Sequence, residues 1–122
     1  KRKAVAEVDA AWGQPHKRME DYERDFPLVH AIWQEGLRLH PPGALASRKV
    51  VEPIDLGGHH IPKGMDLHLN IIGIHLSPKY FKDPLEFRPE RFLPGPENDS
   101  RNPNAFMPFG GGPRNCIGWK FA

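Results

Sequence analysis

Two spacings of apolar residues, three-to-four and then two, organise this chain up to residue 74, and neither persists beyond it. At the start, Val5, Val8 and Trp12 stand three and four apart, as on one face of a helix, and Gly13 is a natural stop. Residues 14 to 17 read as a loop, and the mostly charged stretch 19 to 25 as a short helical turn. A second helix follows, with Asp25 as its cap and Pro27 in its first turn. Leu28, Ile32 and Leu39 form its apolar stripe, and Pro41-Pro42 ends it. From 46 to 74 the pattern predicts β structure. Val50-Val51 are β-branched, and Leu56-Gly57-Gly58-His59 and Pro62-Lys63-Gly64 mark turns on either side of a short strand. Met65, Leu67, Leu69 and Ile71 alternate with Asp66, His68 and Asn70, the mark of a half-buried strand. From 77 to 96 five prolines punctuate a non-repetitive stretch, and 95 to 104 reads as a mobile polar surface connection.

Composition narrows the classes. The net charge of +2 suggests no nucleic-acid partner. Fourteen prolines in 122 residues is more than twice the usual share of about 5%, so a loop-heavy domain is expected. A single cysteine allows no internal disulfide, which fits a reducing compartment. No apolar run reaches the roughly 18 residues of a membrane span, and no signal peptide is visible. The chain starts at Lys1 inside a helical pattern and stops shortly after its cysteine, so both ends read as cuts in a longer protein. His59 and His60 would point to opposite faces of a strand and cannot easily share a metal ion.

The candidate chemistry lies in Phe109-Gly110-Gly111-Gly112-Pro113-Arg114-Asn115-Cys116-Ile117-Gly118. Three glycines and a proline cannot be a helix interior or a central strand. This is a loop whose backbone must come close to something. The residues after Cys116 can open a helix, whose N-terminus would favour an anionic sulfur. A phosphate-cradling loop fits poorly, because no Lys-Ser/Thr follows the glycines. A cysteine nucleophile would need a histidine partner, which seven histidines leave open. A lone cysteine is more often a small buried hydrophobe. The spacing Phe-x-x-Gly-x-Arg-x-Cys-x-Gly is more specific than any of these, and it resembles the haem-binding loop of the cytochrome P-450 superfamily of haem-thiolate monooxygenases.

Two further segments carry the same resemblance. Glu35 and Arg38 lie at i and i+3 on one helix face, ordinarily a solvated surface pair. Followed by Pro41-Pro42, they resemble the family's K-helix signature. Pro89-Glu90-Arg91-Phe92 resembles its proline-rich segment, and residues 1 to 26 resemble the lead-in to the K helix. The resemblance implies a partial cytochrome P-450 fold, mainly α with a small antiparallel β-sheet, a proline-rich meander and the haem-binding loop, as one partial domain over 1–122. It implies haem b (iron protoporphyrin IX) with Cys116 as axial thiolate ligand and Arg114 and Arg48 as propionate partners. Gly112 and Gly118 would let the main chain approach the porphyrin, and Phe109 would shield the sulfur from water. Glu35, Arg38 and Arg91 would form a buried network, and His75 would do no more than pack. The implied activity inserts one atom of O2 into a small organic substrate, with electrons from a reductase. The alternative is a truncated, inactive piece with weak or no haem binding. For a typical eukaryotic member the location would be the cytosolic face of the endoplasmic reticulum membrane.

Overall fold

The computed structural model describes residues 1–13, 15 and 19–120. Apart from Pro15, the loop expected at 14 to 17 lies outside them. Three helices come first: α1 (Arg2–Ala11), α2 (Met19–Asp25) and α3 (Pro27–Leu39). Trp12 ends α1 but is 82% exposed, so its stripe runs into solvent and only Ala11 is buried. The fixed φ of Pro27 suits a first helical turn. The cap position is Phe26, not Asp25, and the Phe26 side chain makes no cap hydrogen bond. The two oxygens of Glu7, on α1, serve instead, accepting from the Leu28 and Val29 N–H groups at 2.9 Å each. A carboxylate there satisfies donors that the helix cannot and complements its dipole.

The buried face of α3 is Ala31, Glu35 and Arg38, at i, i+4 and i+7. The apolar stripe Leu28, Ile32 and Leu39 is only half-buried. One small residue and two charges therefore form the inward face. That is stable only where hydrogen bonds replace water around each charge.

Instead of one small sheet there are two separate antiparallel ladders. β1 (Leu45–Lys49) pairs with β4 (Asp66–Asn70), and β2 (Ile54–Leu56) with β3 (His59–Ile61). The alternation expected in β4 is present, but only Leu67 is half-buried while Leu69 is 43% exposed. At the turn into β4, Gly64 holds φ +89° while its N–H donates to the Val50 carbonyl at 2.7 Å, a backbone state that favours glycine. Ile71 does not continue the strand, contrary to the β reading of 46 to 74. The Asn70 side chain accepts from the Gly73 N–H at 2.9 Å and caps a short helix, α4 (Ile71–His75). A Cβ at position 73 would collide with that Asn70 side chain, so the cap requires the glycine.

The proline-rich half folds as 3₁₀ turns at Pro89–Phe92, Pro103–Ala105 and Gly112–Arg114, with one helical turn, α5 (Pro96–Asp99). Ala31, Phe81, Phe92 and Ala105 form the apolar core, with Tyr80, Leu93 and Phe106 packed against it. The core thus lies between α3 and the proline-rich segment. The stretch 95 to 104 is tied down, contrary to the mobile connection expected. Glu97 accepts from Arg88 and from Arg91, each at 3.1 Å. The Arg101 guanidinium lies over the rings of Phe81 (5.1 Å) and Phe92 (4.4 Å) and donates to the Arg91 carbonyl.

Candidate functional site

Glu35 and Arg38, on α3, are wholly buried, and Arg91, on the 3₁₀ turn Pro89–Phe92, is 1% exposed. Arg38 grips Glu35 with both arms of its fork, Nε to Oε2 at 2.7 Å and Nη2 to Oε1 at 2.9 Å. The same Oε1 accepts from the Arg88 N–H at 2.8 Å and from Arg91 Nε at 3.2 Å. Two guanidinium groups face one buried carboxylate, so the excess positive charge needs other acceptors. Backbone carbonyls supply most of them, and the Glu97 carboxylate another for Arg91 at 3.1 Å. Arg38 donates to His75 O (2.9 Å), Pro84 O (2.7 Å) and Glu86 O (3.2 Å), and Arg91 donates to Lys82 O (2.7 Å) and Asp83 O (3.2 Å). These carbonyls belong to a stretch with no strand partner, so the arginines take the place of a sheet ladder for it. Burial would raise the Glu35 carboxyl. The Arg38 and Arg88 hydrogen bonds and the two arginine charges outweigh that and hold it below the usual carboxylate range.

His75, expected only to pack, is wholly buried and makes two ring hydrogen bonds. The Met107 N–H, which can only donate, lies 3.0 Å from Nε2, and the Arg38 carbonyl, which can only accept, lies 3.2 Å from Nδ1. The neutral ring therefore carries its proton on Nδ1. It also stacks on Phe106 at 5.4 Å. Sequence spacing gave no sign of this role. Nor did it mark Glu7, Glu97 or Arg101, whose partners lie in other elements.

The cysteine loop follows. The Gly110 N–H donates to Met107 O at 3.0 Å, and the Cys116 N–H to Phe109 O at 3.0 Å. Gly110 and Gly112 hold φ of +77° and +69°. Nothing lies within 4 Å of where a Cβ would stand on Gly110, Gly111 or Gly112. Cys116 and Arg114 are both exposed. At Gly118 a Cβ would stand 3.9 Å from the Cys116 sulfur, an ordinary van der Waals contact. The helix expected after Cys116 is not seen, and 117 to 120 form turns. Phe109 does not shield the exposed sulfur here; its ring stacks on Trp33 of α3, centroids 6.0 Å apart.

Open glycine backbone, an accessible thiol and an exposed arginine are compatible with an anionic group that carries a thiophilic metal. Arg48 is exposed on β1 and donates to the Ser47 carbonyl at 2.8 Å. No hydrogen bond or ion pair joins it to the cysteine loop among the described residues. An open groove of about 1130 Å³ runs between the first three helices and one flank of the loop, past Trp12, Trp33, Phe109 and Trp119. Neither Cys116 nor Arg114 lines it. No group of three or more metal-ligating side chains occurs among the described residues, and His59 and His60 are both exposed.

Comparison with known proteins agrees over the full length. Cytochrome P450 4V2 of mouse is 39% identical over 123 aligned residues, covering 99% of this chain and 23% of that protein. Cytochrome P450 3A13 of mouse is 38% identical over 99% of this chain and 24% of its own length. The chain therefore spans about a quarter of the length of the curated relatives it matches. Among solved structures, retinoic acid bound cyanobacterial CYP120A1 superposes with a TM-score of 0.86 at 32% identity, over 98% of this chain and 27% of that one. A zebra fish cytochrome P450 with abiraterone gives 0.80 at 32%, over 98% of this chain and 28% of that one. The description of the Cytochrome P450 family matches residues 1–122, and the chain belongs to that family.

Proposed function

We propose that this chain is the haem-binding part of a haem-thiolate monooxygenase, a single partial domain over 1–122, with Cys116 as the axial ligand of haem b. The observation carrying the reading is the exposed Cys116 thiol on a glycine loop with open backbone, inside a chain of this family. In such an enzyme the bound haem supplies the oxygen chemistry, by which one atom of O2 enters a small organic substrate and the other leaves as water, with electrons from a reductase. The chain's own residues hold and tune the group. The Cys116 sulfur would bind the iron, and its N–H, fixed on Phe109 O, would set the direction of the Cα–Cβ bond. Gly112 and Gly118 would leave room for the macrocycle. Phe109 would cover the sulfur once the flat group lies on the loop. Arg114 and Arg48 are cations for its carboxylates. If the whole protein is a typical eukaryotic member of the family, its location is the cytosolic face of the endoplasmic reticulum membrane; no described helix is long and apolar enough to cross a membrane.

The test is the absorption spectrum of the haem-reconstituted, reduced, CO-bound protein. A strongly red-shifted Soret band marks thiolate ligation, and an unshifted band would overturn the assignment. A second expectation concerns Arg114. Charge-assisted hydrogen bonds contribute about 1.5–3 kcal/mol, so Arg114→Leu should weaken haem affinity by about one to two orders of magnitude. Because Arg114 is exposed, its loss should leave the thermal melt of the haem-free protein unchanged. Equal haem affinity in a titration would mean that the guanidinium faces solvent.

A further inference from the structure

We propose that His75 is a positioning residue: locked in its Nδ1–H tautomer, it ties the C-terminal end of α3 to Met107 and so sets where the cysteine loop lies. The proposal deepens the haem-thiolate reading, on which its relevance to the iron rests, but its hydrogen bonds can be tested without haem.

Arg38 holds His75 at both ends. Its Nη1 donates to the His75 carbonyl at 2.9 Å, and its own carbonyl accepts from the ring Nδ1 at 3.2 Å. The far side of the ring, Nε2, accepts from the Met107 N–H at 3.0 Å. From Met107 the path continues to Cys116 through two backbone bonds, Gly110 N–H to Met107 O and Cys116 N–H to Phe109 O, each 3.0 Å. Stacking on Phe106, which itself tilts against Phe92 at 4.8 Å, fixes the ring plane. Among the described residues no other side chain hydrogen-bonds the backbone of residues 106 to 114, so His75 is the link between the buried charges and the loop.

The link is specific to one protonation state. A neutral imidazole has one donor and one acceptor, and the two backbone groups use both. An imidazolium has two donors. The Met107 N–H would then face another donor, and a charge would be buried without an acceptor. Burial, and next the nearby Arg38 charge, hold the ring below the ordinary histidine range, against the opposing bond to the Arg38 carbonyl. The charged groups around the ring are Arg38 and, through it, Glu35 and Arg91. Residues 105 to 109 carry no titratable side chain. From β1, which packs on α4, come Arg48 and Lys49, both exposed. The direction follows from linkage. The folded ring resists a proton that the released ring accepts below about pH 6.5, so the closed arrangement is fully favoured above that pH and loses ground as pH falls below it.

The experiment is amide hydrogen exchange of 106 to 116, corrected for intrinsic rates, in wild type, His75→Gln and His75→Phe. The glutamine amide oxygen can stand near the place of Nε2 and accept from Met107, but it does not titrate. Phenylalanine keeps the stack and loses the acceptor. One pH unit below the ordinary imidazole value corresponds to up to about a tenfold shift in the opening equilibrium. Wild-type exchange should therefore rise by up to about fivefold between about pH 6.5 and about pH 5.5, His75→Gln should stay flat, and His75→Phe should be raised at both values. Wild-type exchange that does not change with pH, or His75→Gln tracking wild type, would overturn the proposal. If His75→Phe does not fold, the wild-type and glutamine profiles still decide. In the haem-loaded protein the thiolate band should fade over the same window in wild type only. Absence of that band at every pH, with the exchange pattern intact, would remove the ligand assignment and leave His75 in its role.

Discussion

Replacing Glu35 with alanine is expected to leave no folded, haem-retaining protein. Its carboxylate is the shared acceptor for Arg38, Arg91 and the Arg88 N–H, all within 3.2 Å, and the two buried guanidinium groups have no water to turn to. Removing one partner from a buried ionic cluster costs about 3–5 kcal/mol, since Arg38 stays buried without a counter-ion and Arg91 keeps only the half-exposed Glu97. A domain is typically stable by about 5–15 kcal/mol, and this one has a small apolar core to fall back on. Arg38 and Arg91 also staple five carbonyls of residues 75 to 86, so their misplacement would release the whole proline-rich segment. The check is the thermal melt and haem content of purified Glu35→Ala. A haem-loaded variant melting with wild type would show that the pair contributes no more than a surface bridge. Acid should act on the same point. The Glu35 carboxyl is held below its ordinary range, so its stabilisation is present above about pH 4.3 and is lost progressively as pH falls below that value.

Cys116→Ala should abolish the thiolate-type CO spectrum completely while leaving the fold as it was. The separation of these two effects is the point of the experiment. The Cys116 side chain is exposed, and exposed substitutions ordinarily change stability by less than about 0.5 kcal/mol. Its structural bond, the N–H to Phe109 O, belongs to the backbone and survives the change. Loss of the band with an unchanged melt would therefore report ligation and not unfolding. A persistent red-shifted band would end the assignment of Cys116 as ligand.

What could be read from the sequence was local. The two longer helices follow from apolar spacing and from Pro27, and β4 from alternation. The inward face of α3 could not be read that way, because hydrophobic periodicity points to Leu28, Ile32 and Leu39 while Ala31, Glu35 and Arg38 are the buried residues. Burial of the charges depends on acceptors that arrive from 75 to 91, which no window on the helix contains. Arg91 could be grouped with Glu35 only by resemblance, not by spacing. α4 was obscured because Ile71, Ile72 and Ile74 read as more strand, although Asn70 followed by Gly73 is a cap signal three residues apart. His75, Glu7 and Arg101 act across 21 to 37 residues or on rings in another segment, and single-residue chemistry does not foretell such partners.

The separation of Glu35 from Arg91 also has a meaning in time. They stand 56 positions apart along the chain, and at about 5–20 residues per second a ribosome needs roughly 3–11 s to make that stretch. For most of that interval the α3 carboxylate has Arg38 alone to pair with, and the carbonyls of residues 75 to 86 are made only in its last third. The two charges of α3 remain hydrated, and the helix has no reason to bury that face. The contact closes only after the proline-rich segment has emerged, which makes the heart of this region one of the last parts of the chain to dry.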